Sequence, residues 1–288
     1  MAKCNFCAET EYNNIVNSIR NFFDKNSPTA NAIIGISGGK DSTMVARLCV
    51  DALGADRVIG VLMPNGEQED LIDAVEICEC LKIKYQLINI EDMVNIVCCM
   101  LAFAPIYQNG HPLMINTRKS NDKNRLKTEC CYDDIRNTLY NISEQTKINL
   151  PARIRMTVLY AIAQSNNGFV MNTCNLCEDW VGYSTKYGDA AGDFSPLANY
   201  TVEEILMMGN LPQVNIPHHL LFKTPSDGLC GQTDEEKLGF TYQELSRYIR
   251  TGEIENMEHK NKIDQLHKQN LFKLLPMDAC KNNLIVAI

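Results

Sequence analysis
Apolar residues recur at helical spacing from Glu9 to Phe23 (Tyr12, Ile15, Val16, Ile19, Phe22, Phe23), which predicts an amphipathic helix that Ser27-Pro28 ends. Ala32 to Ile36 is then a short apolar run rich in β-branched residues, the pattern of a strand covered on both faces. A glycine turn follows, and Met44, Val45 and Leu48 give the next segment the apolar face of a helix that runs to Gly54. The alternation repeats. Strands are predicted at Arg57–Met63 and Lys84–Ile90, and helices at Asp70–Leu81 and Met93–Phe103. Strands and helices in turn over such lengths predict an α/β fold, a doubly wound parallel sheet with right-handed crossovers.

The pattern breaks at residues 104–131, where Pro105, Gly110 and Pro112 precede a polar, basic cluster ending at Arg125. So long an irregular stretch reads as an insert, a lid or an interface arm. Helical spacing returns at Tyr132–Ile142, and Asn149 opens a further helix with Pro151 suited to its first turn. Gly168 to Asn172 is a fourth strand, and Asn175 to Ala191 a polar, glycine-punctuated segment of the kind that builds sites. Thr201 begins a short helix, Lys223 to Glu236 reads as a loop, and Tyr242–Arg250 and Ile254–Phe272 as surface helices. With no repeat and no composition shift, residues 1–288 read as one domain: an N-terminal helix within 1–28, the insert at 104–131, and C-terminal helices within 240–274.

Composition narrows the setting. Hydrophobic residues make up 45% of the chain and charged residues 22%, an ordinary balance for a globular protein. No apolar run is long enough to span a membrane, and the N-terminus lacks a signal-peptide core. A net charge of −8 repels nucleic acid and anionic membrane, so an anionic substrate requires a local cationic pocket. The 13 cysteines form no regular framework, and several (Cys49, Cys78, Cys80, Cys98, Cys99) fall within apolar helical patterns, as in a reducing cytoplasm. Two C-x-x-C pairs, Cys4/Cys7 and Cys174/Cys177, also carry a zinc or iron–sulfur reading, weakened by the terminal place of the first pair.

The strongest chemical signal is Ser37-Gly-Gly-Lys-Asp-Ser42, set between the first strand and its helix. Gly38 and Gly39 let the backbone turn and approach a ligand, and the helix end offers free N–H groups to phosphate. Lys40 adds a cation and Asp41 a carboxylate able to hold magnesium. The spacing is not that of a Walker A loop; it resembles the pyrophosphate loop of enzymes that cleave ATP between the α- and β-phosphates. With Asn149–Met156 (NLPARIRM), Asn172–Asp189, Ala191–Leu197 (AGDFSPL) and Thr224–Tyr242, the collinear set resembles the ammonia-dependent NAD synthetases from about Ala32 to Lys273.

That resemblance implies an ATP- and magnesium-dependent ligase. The nicotinate carboxylate of deamido-NAD attacks the α-phosphorus of ATP, pyrophosphate leaves, and ammonia displaces AMP from the acyl-adenylate to give NAD. Carried over, Gly35, Ile36, Ser37, Gly38, Gly39, Lys40, Asp41 and Ser42 hold the ATP phosphates, with Thr173 and Ser226 also on ATP. Asp41 and Glu178 hold magnesium; Arg153, Lys186, Asp193 and Lys273 meet deamido-NAD; Asp41, Lys186 and Asp193 are the catalytic set, Asp193 as a proton acceptor. The resemblance further implies a homodimer in the cytoplasm that uses free ammonia, there being no amidase domain in the chain, and it makes Cys174 and Cys177 packing residues.

Against these stand plainer roles. Arg153 and Arg155 suit a helix surface, Asp189 and Asp193 suit turns beside Gly188 and Gly192, and Glu178 and Asp179 suit a helix cap. Two departures are visible: Phe272-Lys273 stands where many members have His-Lys, and Val202 where others have a lysine on ATP. The alternatives are another AMP-forming enzyme with the same loop (a GMP synthetase domain or a tRNA-thiolating enzyme) and a non-catalytic binding module.

Overall fold
The protein is described from a computed structural model, for residues 6–68, 70–103, 106–108, 111–113, 142–222 and 233–275. The first helix, α1, spans Ala8–Asn26 and buries Tyr12, Ile15, Val16, Ile19 and Phe23, the stripe its periodicity marks. Strand β1 is Asn31–Gly35 and helix α2 is Lys40–Leu53. Strand β2 (Val58–Leu62), helix α3 (Leu71–Leu81), strand β3 (Lys84–Leu87) and helix α4 (Glu91–Phe103) follow. Arg57, expected to open β2, lies in a 3-10 turn over Ala55–Arg57.

The segment expected to be irregular contains a short antiparallel pair, β4 (Ile106–Gln108) with β5 (His111–Leu113). The rest of that insert, and all but Ile142 of the helix expected over 132–142, lie outside the described residues. Helix α5 corrects an expectation. It spans Glu144–Ser165, so Pro151 is an internal position and not its first turn. The helix starts earlier because Ser143 caps it, its hydroxyl accepting the N–H of Thr146.

Strand β6 is Gly168–Met171. The polar segment after it holds helix α6 (Leu176–Val181) inside an Asn175–Glu178 capping box. Thr201 caps α7 (Val202–Gly209), and α8 is His218–Leu221. The expected loop over Lys223–Glu236 ends early: Thr233 caps helix α9, Asp234–Leu238, with Glu236 completing a capping box. Helices α10 (Tyr242–Thr251) and α11 (Met257–Asn270) follow, with a 3-10 turn at Leu271–Lys273 in place of a helix reaching Phe272.

The main sheet has order β3-β2-β1-β6, all parallel, so the winding reverses between β1 and β6. Side chains alternate across it. Ala32, Ile34, Val58, Leu62 and Met171 face a core shared with α1, α2, α3, α7 and α8. Ile33, Val61 and Val170 face the other way, onto α4 and α5. Helices on both faces explain the unbroken apolar strands, and each fully buried isoleucine is worth about 1.5–3 kcal/mol. A smaller cluster of Cys177, Val181, Val202, Leu238, Phe240, Tyr242, Leu245 and Ile263 anchors α6 to the C-terminal helices.

Candidate nucleotide site
The carboxyl ends of β1, β2 and β6 open into one cleft of about 660 Å³, at the point where the winding reverses. Gly35 to Ser42 forms one wall, Met63 and Pro64 after β2 another, and Asn172 to Cys174 after β6 a third. The turn is folded by its own hydroxyls. Ser37 Oγ accepts the N–H of Gly39, Ser42 Oγ accepts the N–H of Ser37 and donates to the Gly39 carbonyl, and the two hydroxyls lie 3.1 Å apart. Gly38 has φ +83°, and a Cβ there would sit 2.6 Å from the Asp70 carbonyl, so glycine is required. Helix α2 begins directly beyond, with no side-chain cap at Gly39, leaving its first N–H groups to a ligand.

Four ionisable groups converge behind the turn. Lys40 is buried (6% exposed); its Nζ donates to Asp41 Oδ2 at 2.8 Å and lies 5.4 Å from the centre of the Tyr242 ring. Burial pulls its pKa down, but the charges of Asp41, Glu178 and Asp234 overcome this and hold it above the usual lysine value. Glu178 sits in the opposite wall. Burial, then the charge of Asp41, pushes its carboxyl well above the usual range despite the Asn175 N–H that it accepts. The capping role and the cleft role thus fall on one residue. Asp41 Oδ1 is buried and has no hydrogen-bond partner among the described residues. A destabilised carboxyl beside an orphaned carboxylate oxygen is the donor set of a hard divalent cation, and the pair fits magnesium.

Of the other expected site residues, Thr173 and Lys273 line this cleft; Ser226 lies outside the described residues. Lys273 Nζ donates to the carbonyls of Gly182 (2.6 Å) and Ser184 (2.9 Å), and burial lowers its pKa although Asp189 opposes this. Lys186 lies next door, lining with Lys273 a second hollow of about 320 Å³ that also includes Tyr160 and Tyr187. Arg153 is exposed on α5, its Nε 3.3 Å from the Lys186 carbonyl. Asp193 stays out of the main cleft: its carboxylate accepts the Val170 N–H (2.7 Å) at the edge of β6 and the Tyr160 hydroxyl (3.3 Å). Val202 is buried in the small C-terminal cluster.

Two charged residues whose sequence context suggests only surface or turn roles line the cleft as well. Arg155 donates from Nε to the Met63 carbonyl at 3.0 Å, and burial lowers its pKa against the pull of Asp189. Asp189 lines the cleft with its Oδ1 on the Thr185 N–H at 2.9 Å, and the surrounding protein raises its pKa. The signal for Arg155 was present: Ala152, Arg155, Met156 and Leu159 fall at helical spacing and all face the cleft. Asp234 and Lys237, on the helix expected to be loop, also line it. The cysteines pack. Cys174 Sγ donates to the Asp189 carbonyl at 3.2 Å, Cys177 lies 3.5 Å from Ser246 Oγ, and burial raises both thiols, Cys177 to about 11. Cys4 lies outside the described residues.

A phosphate-binding turn at the switch point of a doubly wound sheet, backed by a lysine and two carboxylates, defines a nucleotide-binding α/β protein of the pyrophosphate-loop class. The NAD synthase family profile matches residues 11–140 and 134–284. The chain is 34% identical over 262 residues to an NH(3)-dependent NAD(+) synthetase of Methanocaldococcus jannaschii, covering 88% of this chain and 85% of that one. It is 32% identical over 228 residues to the NH(3)-dependent NAD(+) synthetase of Pyrococcus furiosus, with 79% and 74% covered. Among solved structures, an NMN synthetase from Francisella tularensis superposes with TM-score 0.74 at 28% identity, covering 97% of this chain and all of the other. An NH3-dependent NAD synthetase from Campylobacter jejuni superposes at 0.65 and 22% identity, covering 96% and 99%. The chain belongs to the NAD synthase family.

Proposed function
We propose that the protein amidates deamido-NAD with ammonia, using ATP and magnesium, to give NAD, AMP and pyrophosphate. The observation that carries this is the pairing of Asp41 and Glu178 across the phosphate turn, beside Lys40. The family membership supports the same reading and weighs against a GMP-synthetase-like or tRNA-thiolating enzyme. A carboxylate and a polyphosphate repel, so the first step needs its charge neutralised. The N–H groups of the α2 end and Lys40 receive phosphate oxygens from one side, with Gly35 to Ser42 shaping the turn and Thr173 opposite. Asp41 and Glu178 would hold magnesium, which would supply charge neutralisation at the phosphates. Ser226 is assigned to ATP by family resemblance alone.

The acid substrate falls to the second hollow, where Lys186 and Lys273 supply the cations that the net charge of −8 makes necessary, Arg153 bracing the backbone of Lys186. Asp193 there fixes Tyr160 and the β6 edge. The proton acceptor for the incoming nitrogen is better served by Asp189, which lines the cleft itself and whose carboxyl burial holds above its usual value. The chain is read as one domain that works as a cytoplasmic homodimer. Among the described residues no helix is long and apolar enough to cross a membrane.

A second reading has its own support, the 0.74 superposition on an NMN synthetase: the same amidation, on the mononucleotide acid. One experiment weighs both. Purified protein with ATP, magnesium and ammonium receives either deamido-NAD or nicotinate mononucleotide, and AMP and amide are followed by chromatography. NAD with equimolar AMP, absent in Asp41→Ala, is expected. Preference for the mononucleotide acid establishes the second reading, and no amide from either overturns both.

A further inference from the structure
Two exposed aromatic rings flank one ammonium at the second hollow. Lys186 Nζ lies 5.3 Å from the centre of the Tyr187 ring and 5.3 Å from that of Phe272. It also donates to the Phe272 carbonyl at 3.0 Å. Neither ring is in the core: Tyr187 is 59% exposed and Phe272 56%. Tyr187 further adopts a left-handed backbone, φ +64°, which costs a non-glycine residue about 1–3 kcal/mol. Apolar burial therefore explains neither residue. On the far side, the next residue along, Lys273, ties the 3-10 turn to the carbonyls of Gly182 and Ser184. The turn and the loop are thus pinned together around Lys186.

We propose that Phe272 is a positioning residue for the acid substrate: its ring and carbonyl, with the Tyr187 ring, form a cage that fixes the Lys186 ammonium for an incoming anion. This rests on the reading that Lys186 meets the phosphate or carboxylate of a pyridine nucleotide. A free lysine loses its rotamer freedom when it binds an anion; the cage removes that freedom beforehand. An aromatic face attracts a cation without neutralising it, and one carbonyl uses only one of the three ammonium hydrogens. The charge stays available. A carboxylate in the same place would fix the lysine equally well and cancel it.

The test uses Phe272→Leu, Phe272→Tyr and Lys186→Met. Phe272→Leu is expected to raise KM for the acid about three-fold, in keeping with an exposed cation–π contact, and to leave kcat and KM for ATP unchanged. Phe272→Tyr keeps the ring and is expected to restore wild-type KM. In a Lys186→Met background, Phe272→Leu should add nothing further. A loss confined to kcat, or an equal rise in KM with Lys186 absent, overturns the cage. A second readout needs no turnover: the ε-protons of Lys186 should show an upfield ring-current shift in the wild type and in Phe272→Tyr, reduced in Phe272→Leu. No such shift in the wild type also overturns it. A shift without amide synthesis would mean that the functional reading fails while the cage stands.

Discussion
Replacing Glu178 by glutamine separates the two tasks of that side chain. Glutamine still accepts the Asn175 N–H, so the capping box survives, but it brings no negative charge to a cation shared with Asp41. The expected result is a fall in kcat/KM of about 100-fold or more. The metal-free protein should at the same time melt higher, because a carboxyl held above its usual pKa by burial and by Asp41 is removed. Initial-rate kinetics with magnesium checks the first half and calorimetry of the metal-free protein the second, and a variant that melts lower without metal contradicts the electrostatic account. Gly38→Ala tests the turn. At φ +83°, with the Asp70 carbonyl in the way of a Cβ, it should cost about 1–3 kcal/mol in urea unfolding. At this scale the sequence revealed the turn and its lysine, because glycines and a helix start leave a local signature. Asp189 was not legible, because its raised pKa comes from the walls that distant segments put around it. Arg155 was half legible: its spacing was in the chain, but the cleft that the helix faces was not.

Helix α6 concentrates charge that the fold disfavours. Asp179 is pushed up to about 6 by burial, then by Asp189. The folded protein therefore keeps a proton that the unfolded chain, titrating near 4, has already released. With a raised folded pKa, this group's contribution is fully present below about pH 4 and is lost as pH rises through about 6. Asp179→Asn removes that loss. The variant should melt above the wild type at pH 7.5, and the gap should close below about pH 4. A variant less stable at pH 7.5 would show that Asp179 makes a favourable contact that outweighs its desolvation. Elements with caps in view were read well: Thr201 opens α7 as expected. The early start of α5 is hidden in the sequence because Pro151 suits a first turn, while the true cap, Ser143, lies eight residues before it. The box from Thr233 to Glu236 was missed because its residues are as polar as the loop before them.

The whole molecule is a sheet whose winding reverses between β1 and β6, and the cleft lies at that reversal. Alternating apolar runs predicted the layers, since a strand with no polar face must be covered twice. What they did not predict is that β6, far along the chain, pairs directly with β1 and brings Thr173 and Glu178 opposite the phosphate turn. The division into a main cleft and a second hollow likewise comes from the C-terminal turn folding back on the loop after α6. The central claim is that this cleft activates a carboxylate by adenylation before ammonia arrives. Exchange of labelled pyrophosphate into ATP, without ammonium, tests it most directly. The account predicts exchange that requires the pyridine-nucleotide acid and magnesium and disappears in Asp41→Ala. Amide synthesis by a protein that exchanges equally well without the acid would contradict it.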